Sequence, residues 1–167
     1  MTTTDTNERG NAEATMGWKI RSAVEGFVTT LDGQLRERPI SLTADLGTHT
    51  EAEPLEGIAA ALLAVGHARG LLYSYVRTAR SDGLTWRQVG KALALEKQAK
   101  HEERPLAELA FEYIAGAGDA WRPSTFGWRC GSCLQMVTDR GPYNGHPRDD
   151  EYGHSASCQR LRRARRS

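Results

Sequence analysis

Cys130 and Cys133 are separated by two residues, twenty residues follow, and His154 and Cys158 close the set with three between them. Thiolate and imidazole are preferred ligands of zinc, which takes four in a tetrahedron. A C-x2-C pair presents two sulfurs from one turn. An H-x3-C pair at i and i+4 presents both side chains from one side of a helix. All three cysteines of the chain belong to this set. The spacing predicts one structural Zn2+ held by Cys130, Cys133, His154 and Cys158 in a small ββα-like module. Trp128 and Arg129 lead into the first pair, and Leu134 to Val137 supplies a return strand. Gly141-Pro142 and Asn144-Gly145 turn the chain, and residues 155–166 form a helix. Four protein ligands leave no position for water, so such an ion supports structure rather than catalysis.

Other readings of these residues compete. His146 follows Cys133 after twelve residues and is an alternative fourth ligand, although it precedes Pro147 in a turn-rich stretch. The cysteines can also be read as free thiols with an incidental histidine. A redox role for C-x2-C calls for a strand and helix around it, which the local pattern lacks. His101-Glu102-Glu103 ahead of C-x2-C resembles the pairing used by zinc deaminases. Arg129 stands where that signature has proline, and His154 and Cys158 would be left without a role.

The cysteine usage and the polar start, Met1 to Asn11, carry no sign of a disulfide framework or a secretory leader. The longest apolar run, Ile58 to Gly66, is nine residues, short of the roughly 20 that span a bilayer. A cytoplasmic protein without membrane contact is therefore expected. The net charge of +1 hides an asymmetry: residues 1–54 sum to −4 and residues 121–167 to +5. Arginine outnumbers lysine 18 to 4, a bias that points to a GC-rich genome.

The chain reads as mainly α. Residues 1–14 are expected to be a disordered tail. Residues 15–118 read as a helical domain, 119–127 as a linker, and 128–167 as the zinc module with a basic tail. Ile20, Val24, Phe27, Val28, Leu31 and Leu35 recur at helical spacing. Arg38 to Glu53 reads as a loop. Pro54 suits the first turn of a second helix, whose Leu55, Ile58, Leu62, Val65, Leu72 and Val76 line one face. Ser81-Asp82-Gly83 ends it. Thr85 and Gln88 have capping-box spacing at the start of a short helix. Pro105 opens another, with Leu106, Leu109, Ala110, Tyr113 and Ile114 inward and a stop at Gly116.

Leu84 to Leu93 resembles the first helix of a bacterial helix-turn-helix, within a helix-turn-helix-like segment at about 70–104. Gly90 would admit a close helix. A second helix would follow, in which Lys97, Gln98, Lys100 and His101 offer suitable chemistry for base edges and phosphates. Ala94 and Glu96 stand where the motif usually has Gly and Ser or Thr, and Glu102 and Glu103 add negative charge. The tail places Arg160, Arg162, Arg163, Arg165 and Arg166 within seven residues, a run suited to phosphate backbones or simply to solvation.

Three stretches together are similar to small actinobacterial proteins that join a helix-turn-helix-like helical region to a C-terminal zinc finger. These are W-R-Q-V-G-K-A-L, R-P-L-A-E-L-A-F-E-Y and the C-x2-C…D-R-G-P-Y…G-H-x3-C end, spanning roughly residues 55–160. The resemblance implies a zinc-binding regulator and carries no established activity. Double-stranded DNA is the leading expected partner. The alternative is an adaptor whose amphipathic helices bind a protein and whose zinc module is purely structural. No nucleophile–base pair or phosphate loop is visible, so neither an enzyme nor a small-molecule substrate is expected.

Overall fold

The computed structural model describes residues 3–31, 33–40, 47–116, 124–142 and 149–164. Its elements are α1 (Thr3–Thr30), β1 (Leu35–Pro39), β2 (Thr48–Ala52), α2 (Pro54–Ser81), α3 (Trp86–Ala92), α4 (Glu96–His101) and α5 (Leu106–Ala115). They continue with β3 (Phe126–Arg129), β4 (Met136–Pro142), β5 (Asp149–Tyr152) and α6 (Gln159–Ala164). The fold is mainly helical with two small antiparallel sheets. The chain forms two compact units, Met1–Arg69 and Gly70–Ser167, so the division falls within α2 rather than at residues 119–127. Of those, residues 119–123 lie outside the described residues.

In the first unit α1 extends back through residues 3–14, where polarity predicts a disordered tail. Ala12, Glu13 and Ala14 favour that continuation. Strands β1 and β2, largely expected as loop, form an antiparallel ladder that pairs Leu35 with Ala52 and Pro39 with Thr48. It lacks alternating apolar residues. Cross-strand charge holds it instead, with Glu51 taking Arg36 at 2.9 Å and Arg38 at 3.0 Å. Among the described residues of this unit the buried apolar side chains are Val28 and Ala60. Phe27 stacks on His67 beside them. The residues expected inward at Ile20, Leu31, Leu55, Ile58, Leu62 and Val65 face solvent instead.

α2 is 28 residues long, with a mean hydropathy of 1.4 over its most apolar 18-residue window. By length and composition it could cross a membrane, which a count of uninterrupted apolar residues misses. His67 and Arg69 interrupt the run without lowering the window average far.

The second unit has a continuous core. Val76, Trp86, Val89, Leu95, Ala99, Leu109, Phe111, Ile114, Phe126, Trp128 and Val137 are buried in one cluster with Cys130 and Cys158. Helices α3 to α5 and the sheet β3-β4-β5 therefore share one interior instead of forming separate helical and zinc-binding domains. Trp86 meets Phe111 edge-on at 5.1 Å and Phe126 at 5.6 Å. Tyr113, expected inward, is exposed, and Phe111 takes the core position.

Local chemistry fixes the helix ends. Thr85 accepts from the Gln88 backbone N–H, and the Gln88 side chain accepts from the Thr85 backbone N–H at 2.8 Å, completing the expected capping box. Gly90 admits α5: a Cβ there would stand 2.8 Å from Leu106 Cγ and 3.0 Å from its carbonyl oxygen.

Candidate metal centre

The four predicted ligands converge. Cys130 and Cys133 lie on the turn between β3 and β4, and His154 and Cys158 lie between β5 and α6. Their ligand atoms all lie within 4.8 Å of one another. Cys130 Sγ is 3.9 Å from Cys158 Sγ, while His154 Nδ1 is 3.7 Å from Cys133 Sγ and 3.4 Å from Cys158 Sγ. A tetrahedron with metal–sulfur bonds of about 2.3 Å and metal–nitrogen bonds of about 2.05 Å has S···S edges of about 3.8 Å and S···N edges of about 3.6 Å. The cluster has the size and donor chemistry to hold one metal ion. His146, the competing ligand, lies outside the described residues.

Backbone geometry builds the first half of the site. Leu134 turns the chain at φ +61°, and its N–H donates to the Cys130 carbonyl at 2.8 Å. The Cys130 N–H donates to the Gln135 carbonyl at 2.9 Å. Val137 pairs with Trp128 and Met136 with Arg129 across the hairpin. The second pair departs from the expected helix. Gly153 has φ +97°, residues 156–157 form a turn, and α6 begins only at Gln159. His154 and Cys158 are brought together by a turn ahead of a helix, and the module has three strands rather than two.

Amide groups aim at the sulfurs. The Cys133 thiol is lowered to about 6 by backbone N–H groups of Ser155 and Gln135, against some burial. Burial pushes Cys130 up, opposed by N–H groups of Cys133 and Ser132. Burial also works against Cys158, yet the Leu161 and Arg160 N–H groups and the Ser132 hydroxyl bring it down. The set therefore favours thiolate at two of its three sulfurs.

Behind the ligands lies a charged network that the sequence did not reveal. His154 Nε2 is 2.8 Å from Glu151 Oε2, so the ring can present Nδ1 to a metal while a carboxylate orients its far side. Burial opposes the ionised form of Glu151, but the hydrogen bond and charge of Arg160 and the charge of Arg80 hold its carboxyl below the ordinary value. For His154, burial is outweighed by hydrogen bonds to Cys133 and Glu151, which raise its pKa. Arg80 is fully buried. It donates to Asp139 Oδ2 through Nε at 3.1 Å and Nη2 at 2.8 Å, to Glu151 Oε1 at 2.6 Å and to the Leu84 carbonyl at 2.7 Å. Asp139, also fully buried, accepts from Trp86 Nε1 at 3.0 Å and from the Gly141 N–H at 2.8 Å. The Arg80 guanidinium lies 5.1 Å from the Trp86 ring centre and 5.6 Å from that of Trp128.

The residues expected at DNA divide into three groups. Lys97, Gln98, Lys100 and His101 are exposed on α4, with Leu95 and Ala99 turned inward. Gln98 Nε2 donates to Glu102 at 2.8 Å. Arg160 belongs to the metal centre: it donates to Glu151 Oε2 at 2.9 Å and to the Arg80 carbonyl at 2.7 Å, and covers the Trp128 ring at 4.6 Å. Arg162 is exposed and donates to the Ser157 carbonyl. Arg163 lies on α6, and Arg165 and Arg166 fall outside the described residues.

No family model matches the chain, and no match was found among curated proteins or solved structures. The resemblance to actinobacterial zinc proteins therefore rests on the motifs alone.

Proposed function

We propose that the chain is a DNA-binding regulatory protein, with one structural zinc completing the Gly70–Ser167 unit. The observation that carries the reading is the α3–α4 geometry. Ala94 adopts φ +56° between the two helices, the turn position where the motif usually has glycine. Leu95 and Ala99 anchor α4, which leaves Lys97, Gln98, Lys100 and His101 on its open side. A helix presented in this way can meet the edges of bases in a major groove. Cys3His ligation with Glu151 behind the histidine suits zinc, and a full protein ligand set assigns the ion a structural role.

The test is a mobility-shift assay of zinc-loaded protein on random duplexes at low salt. Binding should weaken with salt, and removing residues 162–167 should lower the log–log slope by about 0.9 per lost phosphate contact. Replacing Gln98 and Lys100 by Ala should narrow the gap between a selected site and random DNA by about 1–3 kcal/mol. Absence of any shift at low salt refutes the reading and leaves the adaptor alternative, which the exposed apolar face of α2 favours.

A further inference from the structure

The sheet β3-β4-β5 has one covered face and one open face. Phe126, Trp128, Val137 and Asp139 point into the core, and the residues between them point out. The register sets Gly127 opposite Thr138, Thr138 opposite Tyr152, and Arg129 opposite Met136. All five are exposed, Met136 at 60% and Tyr152 at 49%. Arg140 lies two residues beyond Thr138 on the same side, with its guanidinium 4.6 Å from the Tyr152 ring centre. Gly127 leaves a hollow, since a Cβ there would have nothing within 4 Å. The charge on this face is positive. Arg77 stands at its β3 side and donates through Nε to the Gly127 carbonyl at 3.1 Å, and Arg129 Nη1 lies 3.5 Å from the Leu134 carbonyl. These two guanidiniums and that of Arg140 thus contact neutral groups. Asp150 is the carboxylate beside them among the described residues, and it is hydrogen-bonded to the Tyr152 hydroxyl.

We propose that this open sheet face binds single-stranded DNA, with bases stacked on Tyr152 and Arg140 and phosphates held by Arg129 and Arg77. Every base offers a π-face to an aromatic ring or a guanidinium plane, and arginine supplies donors to the phosphates between bases. Neighbouring strands lie about 4.8 Å apart, so the row Gly127–Thr138–Tyr152 spans about 10 Å and has room for two or three bases. The hollow at Gly127 lets a base approach the backbone, and Met136 adds apolar surface beside it. A duplex keeps its bases stacked on one another and offers this platform only phosphates. An acidic peptide would use the arginines but leave the Tyr152–Arg140 stack and the hollow without a role. The Tyr152 hydroxyl is held by Asp150 rather than left for a ribose 2′-hydroxyl, so the sugar is assigned as deoxyribose. The site uses elements other than α3 and α4 and does not rest on the duplex-binding reading.

The test uses full-length, zinc-loaded protein and a fluorescein-labelled oligothymidylate of about 12 nucleotides, followed by anisotropy at low salt. The labelled strand should bind, and unlabelled oligothymidylate should compete better than oligouridylate or a duplex of the same length. Tyr152→Ala should weaken binding about tenfold, whereas Tyr152→Phe, which keeps the ring, should bind like wild type. Arg129→Ala and Arg140→Ala should each lower the log–log salt slope by about 0.7. Because Tyr152→Ala can disturb the neighbouring metal centre, Gly127→Glu provides a second test. It sets a carboxylate on the face where a side chain has room, and should weaken binding at least about tenfold while zinc content and Tm persist. Lys97→Ala with Lys100→Ala should weaken duplex binding alone, so failure of that reading and failure of this one are seen separately. No binding of the oligothymidylate at about 100 µM protein overturns the proposal. So does binding that Tyr152→Ala and Gly127→Glu both leave intact, which would place the strand elsewhere, or tighter binding of oligouridylate, which would make the occupant RNA.

Discussion

Asp139→Asn tests the buried network most directly, because it removes one charge and almost no volume. Asp139 Oδ2 accepts from Arg80 and Trp86, while Oδ1 accepts from the Gly141 N–H. Asparagine keeps one acceptor oxygen. If it faces Arg80 and Trp86, its NH2 group opposes the Gly141 N–H; reversed, it opposes the guanidinium and the indole. Breaking a buried ion pair from one side costs about 3–5 kcal/mol. Glu151 remains 2.6 Å from Arg80 and retains part of the compensation, so about 2–4 kcal/mol is expected. For a unit of about 100 residues that lowers Tm by roughly 10–25 °C. The assay is thermal unfolding of zinc-saturated protein followed by circular dichroism near neutral pH. A shift below about 3 °C would show that Arg80 is compensated by Glu151 alone and that Asp139 contributes little.

Three further outcomes follow from the same geometry. Zinc should be retained at neutral pH and released on acidification to well below the metal-free Cys133 value of about 6, because the ion competes with protons for the thiolates; zinc content unchanged at pH 4, read with a chromogenic chelator, refutes this. Glu151 has a depressed folded pKa, so its contribution is present above its ordinary value of 4.5 and lost as pH falls through the lower folded value; the stability gap between wild type and Glu151→Gln should be widest above pH 4.5 and narrow below it, and a gap that widens on acidification would refute this. A chain ending at residue 118 should lose cooperative melting of α3 to α5, because Phe126, Trp128 and Val137 are missing from their core; a sharp transition in calorimetry would show that these helices stand alone.

What the sequence revealed and what it concealed follow from the range of the interactions. Ligand spacing and the Thr85–Gln88 box are local, so both were legible. The apolar period placed α2 and α5 but could not say which face would be covered, as Leu62 and Tyr113 show. The sequence of β1 and β2 has no apolar alternation and reads largely as loop, since Arg36 and Glu51 recognise each other only after the strands meet. The helix expected for His154 and Cys158 rested on i,i+4 spacing, which a turn following Gly153 satisfies equally well. The bond between Arg80 and Asp139 crosses 59 residues and the one to Glu151 crosses 71, so no local pattern announced either.

The shared interior of the second unit also orders events during synthesis. Trp86 leaves the ribosome some 70 residues before Cys158, a delay of about 4–14 s at about 5–20 residues per second. During that interval α3 and α5 have neither the sheet that covers them nor the carboxylates that neutralise Arg80. Helical segments can form in that time, but the final packed state must wait for the last ligand. The emerging chain thus passes through an open intermediate in which Trp86 and Phe111 are available to chaperones or to neighbouring nascent chains. With the proposed zinc in the cluster, the supply of that ion would limit how quickly the exposure ends.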